Sequence, residues 1–300
     1  MTDMESAQKL HVVRKAKKIT YRTITYICAT VIAVLFIFPL VWMLATSTKT
    51  EMQYANDLGS FSTFLPYFLD LSTFFDNYAS VLTEYDIWKY ALNSFGYAAV
   101  VVVCNIIVNA LAGYVMAKFT FPGKGFVSFL IMFLLVVPVE TTIIPLYSIV
   151  HNLGISGTVL AVILPAIVSV FNIFLFQQFF TSIPKEYIEA AQLDGANQLK
   201  IFRIIMLPLS APIVATVATF AFIGVWNDYI WPTMVLPSPQ PGEWPLYPIQ
   251  AALTTIQSIE GVTTGEVMAS LVVTSIPIFL VYVFAQKYIV AGIGVGGLKL

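Results

Sequence analysis

The sequence predicts an all-α integral membrane protein with six transmembrane helices and both termini in the cytoplasm. Three observations predict it. Only 10% of the 300 residues are charged and 58% are hydrophobic. Soluble domains carry about 25% charged residues, so this chain cannot clothe a water-facing surface and a bilayer is its expected solvent. Six apolar runs reach the roughly 20 residues that a spanning helix requires. Finally, with the N-terminus inside, only Lys49 and Lys89 of the 15 Lys and Arg residues fall in outer segments. Basic residues resist crossing a membrane, which fixes the orientation.

The first 18 residues are polar and basic and form a separate cytoplasmic segment, either mobile or lying against anionic lipid. Residues 19–300 form the transmembrane domain. The apolar run that opens it is too long for the core of a cleavable signal, and no small-residue cleavage site follows. It is expected to stay as an anchor. The six spans fall at about 23–46, 92–117, 126–150, 158–181, 209–233 and 267–291. Pro39, Pro138, Pro145, Pro165 and Pro277 interrupt them, which a bilayer tolerates when neighbouring helices satisfy the freed backbone groups.

Two large outer segments, about 47–91 and 234–266, hold Glu51, Asp57, Asp70, Asp76, Glu84 and Asp86, then Glu243, Glu260 and Glu266. Their Pro, Gly and aromatic content predicts compact folded loops. Tyr85, Trp88 and Tyr90 are expected at headgroup depth. Cys28 and Cys104 fall inside apolar runs and read as buried free thiols. His11 and His151 are far apart, so no metal site is expected.

The polar segment at about 182–208 separates the fourth and fifth spans. Pro184 and Glu186 read as a helix start, because proline loses nothing in the first turn and a carboxylate suits the positive end of the dipole. Asp194-Gly195 reads as the stop. A helix of about ten residues is marginal on its own in water and needs a supporting surface. Ala190 and Ala191 would let another chain approach closely, and Glu189 offers a carboxylate to a basic partner. The residues alone leave two readings open: a docking device, or an ordinary interhelical loop.

Several polar groups fall within or beside the spans. Glu140 either faces a wet cavity, pairs with a basic residue of a partner chain, or marks an earlier end of the third span. Asn105 and Asn109, four apart on one helix face, either line a polar path or join helices. Trp226-Asn227-Asp228-Tyr229 is either an interfacial belt or a sugar-facing group, offering a flat apolar face beside hydrogen-bonding partners. The chain has no phosphate-binding Gly-rich loop followed by Lys and Ser or Thr. It also has no nucleophile–base or paired-carboxylate arrangement, so no catalysis is expected of it.

Glu189-Ala190-Ala191, Asp194-Gly195-Ala196, Phe202, Ile205 and Leu207-Pro208 resemble the coupling motif of ABC importer permeases position by position. Asn77-Tyr78, Asn93-Ser94, Phe121-Pro122-Gly123, Ile144-Pro145-Leu146-Tyr147, Leu164-Pro165, Phe171-Asn172, Ile183-Pro184, Trp226-Asn227-Asp228 and Pro232 extend it. The branch it is similar to is carbohydrate uptake, of the maltose type. The resemblance implies a type I ABC importer permease in the bacterial plasma (inner) membrane. It implies a second homologous permease, two ATPase subunits that bind ATP and Mg, and an extracytoplasmic solute-binding protein. Lipid is the only other partner implied; nucleic acid is not one. It also implies that Glu189, Ala190, Ala191, Asp194 and Gly195 sit in a cleft of the ATPase. The C-terminal stretch from Gly292 to Gly296-Gly297-Leu298-Lys299-Leu300 departs from the family's wording for an ATPase-contacting tail.

The function expected is that of an ATP-driven importer subunit for a sugar or oligosaccharide. Asn105, Asn109, Glu140, Trp226, Asn227, Asp228 and Tyr229 are candidates for the substrate path. Two alternatives stand beside it. An ion-gradient-driven transporter would use Glu140 and Asp228 as ion sites. An ABC permease for another polar solute, such as a glycerol phosphate, would share the coupling loop.

Overall fold

The structure, a computed structural model, describes residues 2–67 and 73–296, with side chains defined for 18–67 and 73–287. Asp70, Gly297, Lys299 and Leu300 lie outside the described residues, as do the side chains of the first seventeen residues and of Gly292–Gly296. Among the described residues every regular element is helical. The chain divides into two units, one of residues 1–80 and 263–272, the other of residues 81–262 and 273–300.

In the first unit, α1 (Thr2–Thr46) runs without interruption, so the basic segment and the first span share one helix. Cys28 is exposed on it, not buried as the sequence suggested; a lone spanning helix has no core to hide it. Helix α2 (Glu51–Asp57) starts on a capping box between Thr50 and Gln53, which satisfies two of its free backbone N–H groups. A 3-10 turn (Phe61–Phe64) follows, then α3 (Asp76–Thr83). Buried Lys49 donates to Asp57 Oδ2 at 2.7 Å and to the Ser62 carbonyl at 2.6 Å. That pair holds the Asp57 carboxyl below the usual carboxylate range. Asn77 donates to the carbonyls of Ser47 and Lys49. The described residues that follow the first span are thus tied together by these bonds.

The second unit contains α4 (Ile87–Lys118), α5 (Lys124–Leu134), α6 (Ile143–Asn152), α7 (Val159–Ile167), α8 (Val170–Ser182), α9 (Glu186–Leu193), α10 (Gln198–Ile201), a π turn (Phe202–Met206), α11 (Leu207–Leu209), α12 (Ala211–Asn227), α13 (Ile230–Val235) and α14 (Ile249–Ile256). Helix α15 (Thr264–Gly296) begins in the first unit.

Among the described residues four stretches are long and apolar enough to span: Lys18–Thr46, Ile87–Lys118, Val159–Ser182 and Thr264–Lys287. The third and fifth predicted spans are not straight. Val139–Asn152 is bent by 107° from Lys124–Leu134, and Gln198–Leu209 turns 81° from Ala211–Asn227. Counting each bent pair as one span gives six. The first bend follows from Pro138, which lies in extended backbone and has no N–H to continue α5. The second falls at Ser210, between two prolines, Pro208 and Pro212.

Helices α4 and α8 approach closely at Gly113. A Cβ there would lie 2.6 Å from the Cβ of Phe176 and 2.9 Å from the Gln177 nitrogen. Small residues at helix crossings let backbones meet in this way where hydrophobic burial no longer drives association.

Candidate functional site

The segment between the fourth and fifth spans is built on a pinned helix. Helix α9 is eight residues long, two shorter than the sequence suggested, because Pro184 and Lys185 precede its first turn. It ends where expected. The Ala196 N–H donates to the Ala191 carbonyl at 2.9 Å, and Gly195 adopts φ +77°, the left-handed closure that glycine accepts.

The two faces of α9 differ. Ile188 and Ala191 are buried in a cluster with Ala110 and Tyr114 of α4, Phe176 and Phe180 of α8, and Ile201, Phe202 and Met206 downstream. Ala191 therefore does not share the outward face with Ala190, contrary to the sequence reading; the helical period turns it to the core. Glu189, Ala190, Asp194 and Gly195 are exposed, together with Tyr187 and with Leu193 at 90%. An eight-residue helix that leaves Leu193 in the open has an uncovered side.

Two further bonds tie this segment to the spans. The Tyr114 hydroxyl donates to Gln198 Oε1 at 2.8 Å. Lys118 Nζ donates to the Ile183 carbonyl at 2.6 Å, capping the end of α8. These bonds join the chain on either side of α9 to α4 and to the end of α8.

The polar residues of the spans divide sharply. Helices α7 and α8 are separated by extended backbone at Val168 and Ser169. Asn109 Nδ2 donates to the Ile167 carbonyl at 2.9 Å, and Asn109 Oδ1 accepts from the Ser169 N–H at 3.0 Å. Asn105 Nδ2 donates to the Ala166 carbonyl at 3.3 Å, and its Oδ1 accepts from Asn172 Nδ2 at 2.8 Å. Both amides are buried and committed to mending a break. Of the two readings open from sequence, the structure puts them to helix joining.

Trp226 is also not a surface ring. It is fully buried, stacks on Phe222 with centroids 5.5 Å apart, and donates its indole N–H to the Thr274 carbonyl at 3.1 Å. The sequence reading as a belt or sugar platform is corrected: α15 supplies the acceptor, 48 residues away, that lets an indole be buried. Asp228 accepts from the Trp231 N–H at 3.2 Å and so starts α13. Asn227 and Tyr229 remain exposed. Glu140 is exposed as well, in a 3-10 turn at the 107° bend of the third span.

Asn93 and Ser94 appeared in the sequence only as part of a resemblance; the structure gives them a task. Asn93 Nδ2 donates to the carbonyls of Pro245 and Tyr247, and its Oδ1 accepts from the Trp244 indole. Ser94 Oγ accepts from the Ile249 N–H at 2.7 Å. Together they pin the proline-rich loop between α13 and α14 to α4. The only local signal was two small polar residues in an otherwise apolar run.

This loop and the start of α4 enclose a cleft of about 590 Å³. Its walls include Glu84, Tyr85, Tyr90, Gln240, Glu243 and Trp244. At its edge Asp86 bonds Lys89 at 2.6 Å and the Trp88 indole at 3.1 Å. The Lys89 bond leads in holding the Asp86 carboxyl below the usual range.

Comparison with known proteins places the chain in a family. Residues 109–295 match the family described as "Binding-protein-dependent transport system inner membrane component". The arabinooligosaccharides transport system permease protein AraQ of Halalkalibacterium halodurans is 32% identical over 89% of this chain and 93% of its own length. The diacetylchitobiose uptake system permease protein NgcG of Streptomyces coelicolor is 31% identical over 88% and 84%. The sn-glycerol-3-phosphate transport system permease protein UgpE of Yersinia pestis is 34% identical over 67% and 71%. A chain from the crystal structure of a bacterial ABC transporter that imports the acidic polysaccharide alginate superposes with a TM-score of 0.76. It is 24% identical, covering 89% of this chain and 96% of that one, and it shows the fold.

Proposed function

Because this chain belongs to the family of binding-protein-dependent transport system inner membrane components, we propose that it forms, with a second homologous permease, the path by which a sugar or oligosaccharide enters the cell. The chain is a multi-pass inner-membrane permease subunit of an ABC importer, a transport component and not an enzyme, and it works with ATPase and other transporter components. Two cytoplasmic ATPase subunits, carrying ATP and Mg, would bind the α9 segment. An extracytoplasmic solute-binding protein would dock on the outer loops, with the loop around Pro237–Pro245 as its contact. Both termini would lie in the cytoplasm.

One observation carries the coupling role. Helix α9 has an outward face of Glu189, Ala190, Leu193 and Asp194 and an inward face locked to α4 and α8. An ATPase that gripped the first face would move the second. Nucleotide and solute can drive the cycle only through unequal affinity for its two arrangements. Among polar groups near the spans, Glu140, Asn227, Asp228 and Tyr229 are our candidates for the path, since Asn105, Asn109 and Trp226 are spent on the fold. The relatives favour ATP as the energy source over an ion gradient, and two of the three named carry oligosaccharides.

The test is a crosslink. With Ala190→Cys in the complete importer, a short bifunctional reagent should join this chain to an ATPase subunit, and added ATP should change the yield. Absence of any such product in intact membranes, while α9 stays reactive to small thiol reagents, would sink the coupling role.

A further inference from the structure

The segment Gln198–Leu209 is turned 81° from Ala211–Asn227. If the latter crosses the bilayer, the former runs nearly along its surface. Its inward side is fixed by Ile201, Phe202 and Met206, all buried. Its outward side carries two cations, Lys200 and Arg203, both exposed, flanked by Leu199 at 50% and Ile204 at 62% exposure. These four and Asn197 line a concavity of about 320 Å³.

Two features of this concavity call for an anionic, amphipathic occupant. First, the two ion pairs among the described residues are Lys49–Asp57 and Lys89–Asp86; Lys200 and Arg203 enter neither. The Asn197 carbonyl oxygen of the side chain already accepts from the Lys200 N–H at 2.9 Å, so the polar side presents donors. Second, large aliphatic side chains sit directly beside the cations. Water favours only half of such a surface. An interfacial segment with basic and aliphatic residues side by side suits the boundary between headgroups and acyl chains.

We propose that the concavity at Asn197–Ile204 binds the phosphate of an anionic phospholipid, with Lys200 and Arg203 as its counter-ions and Leu199 and Ile204 against the acyl chains. A guanidinium matches phosphate oxygens in bidentate fashion, and an ammonium adds a point charge. The site lies one turn beyond α9, so a bound lipid would steady the inner end of the segment that the ATPases are proposed to move. The lipid site itself depends on the chain spanning a membrane, not on the coupling role or the solute carried.

The experiment uses the complete importer in nanodiscs of phosphatidylglycerol mixed with phosphatidylcholine, and in phosphatidylcholine alone. Lipids retained after extraction are counted by native mass spectrometry. The double substitution Lys200→Gln with Arg203→Gln is expected to lower phosphatidylglycerol retention about tenfold to thirtyfold and to leave phosphatidylcholine retention unchanged. Arg203→Lys should keep most of it. A nitroxide at Ile204→Cys should collide with dissolved oxygen more than with a water-soluble nickel chelate, which reads the site even if the double variant folds poorly. Unchanged phosphatidylglycerol retention overturns the proposal. So does displacement by millimolar inorganic phosphate, which would mean a soluble-anion site. Shielding of the nitroxide that disappears when the ATPase subunits are removed would assign the surface to protein and overturn it too.

Discussion

Gly195→Val perturbs one backbone position and little else. Gly195 holds φ +77°, and an added Cβ would meet nothing within 4 Å. The penalty is therefore conformational and not a clash. Left-handed backbone costs an L-residue about 1–2 kcal/mol, and a β-branched one sits at the upper end. The chain can escape only by opening the turn in which the Ala196 N–H meets the Ala191 carbonyl. That frees the last turn of an eight-residue helix, which cannot stand on its own propensity. About 1–2 kcal/mol is about a fivefold to thirtyfold shift in a two-state population. The assay is the importer in proteoliposomes, with solute uptake and ATP hydrolysis measured on one preparation. Uptake per ATP should fall by that factor, while membrane insertion and thermal unfolding stay as in the parent. Gly195→Asn, which tolerates the left-handed region, should retain most uptake. Parental uptake per ATP in a variant altered at both Gly195 and Glu189 would refute the reasoning.

Three further outcomes follow from the geometry. Asn109→Leu leaves the Ile167 carbonyl and Ser169 N–H without their partner and should destabilise the protein by about 1–3 kcal/mol, read as a lower unfolding temperature in detergent. Gly113→Leu forces α4 from α8 at a 2.6 Å approach and should destabilise by about 1–3 kcal/mol or more; Gly113→Ala should do less harm. The Asp86 carboxyl has a lowered pKa through Lys89, so its contribution is complete above the ordinary aspartate range and lost as pH falls through the lowered value. Fluorescence of the nearby Trp88 and Trp244 should report that acid transition, and Asp86→Asn should abolish it.

Hydropathy located the spans because each run of apolar residues has nowhere else to go. The end of α9 was equally legible, since Gly195 is a backbone constraint that acts on its own residue, whereas its start fell two residues later than Pro184 suggested. The bends were not. Pro39 and Pro277 sit inside continuous helices while Pro138 marks a 107° turn, and only neighbouring chain decides between these outcomes. Partner identity was hidden in the same way. Asn109 meets groups 58 and 60 residues away, and Trp226 meets one 48 residues away, so no local pattern could separate an amide that lines a path from one that joins helices. Ala191 illustrates a finer limit: the motif contains it, but its place beside Ile188 against Phe176 and Phe180 depends on where α9 lies across two spans.

The interruption at Val168–Ser169 has a mechanical consequence. Its loose ends are held by side chains of α4 and not by their own helix, so sliding one against the other would expose bare peptide groups to hydrocarbon. The second and fourth passes through the membrane must therefore travel as a single strut.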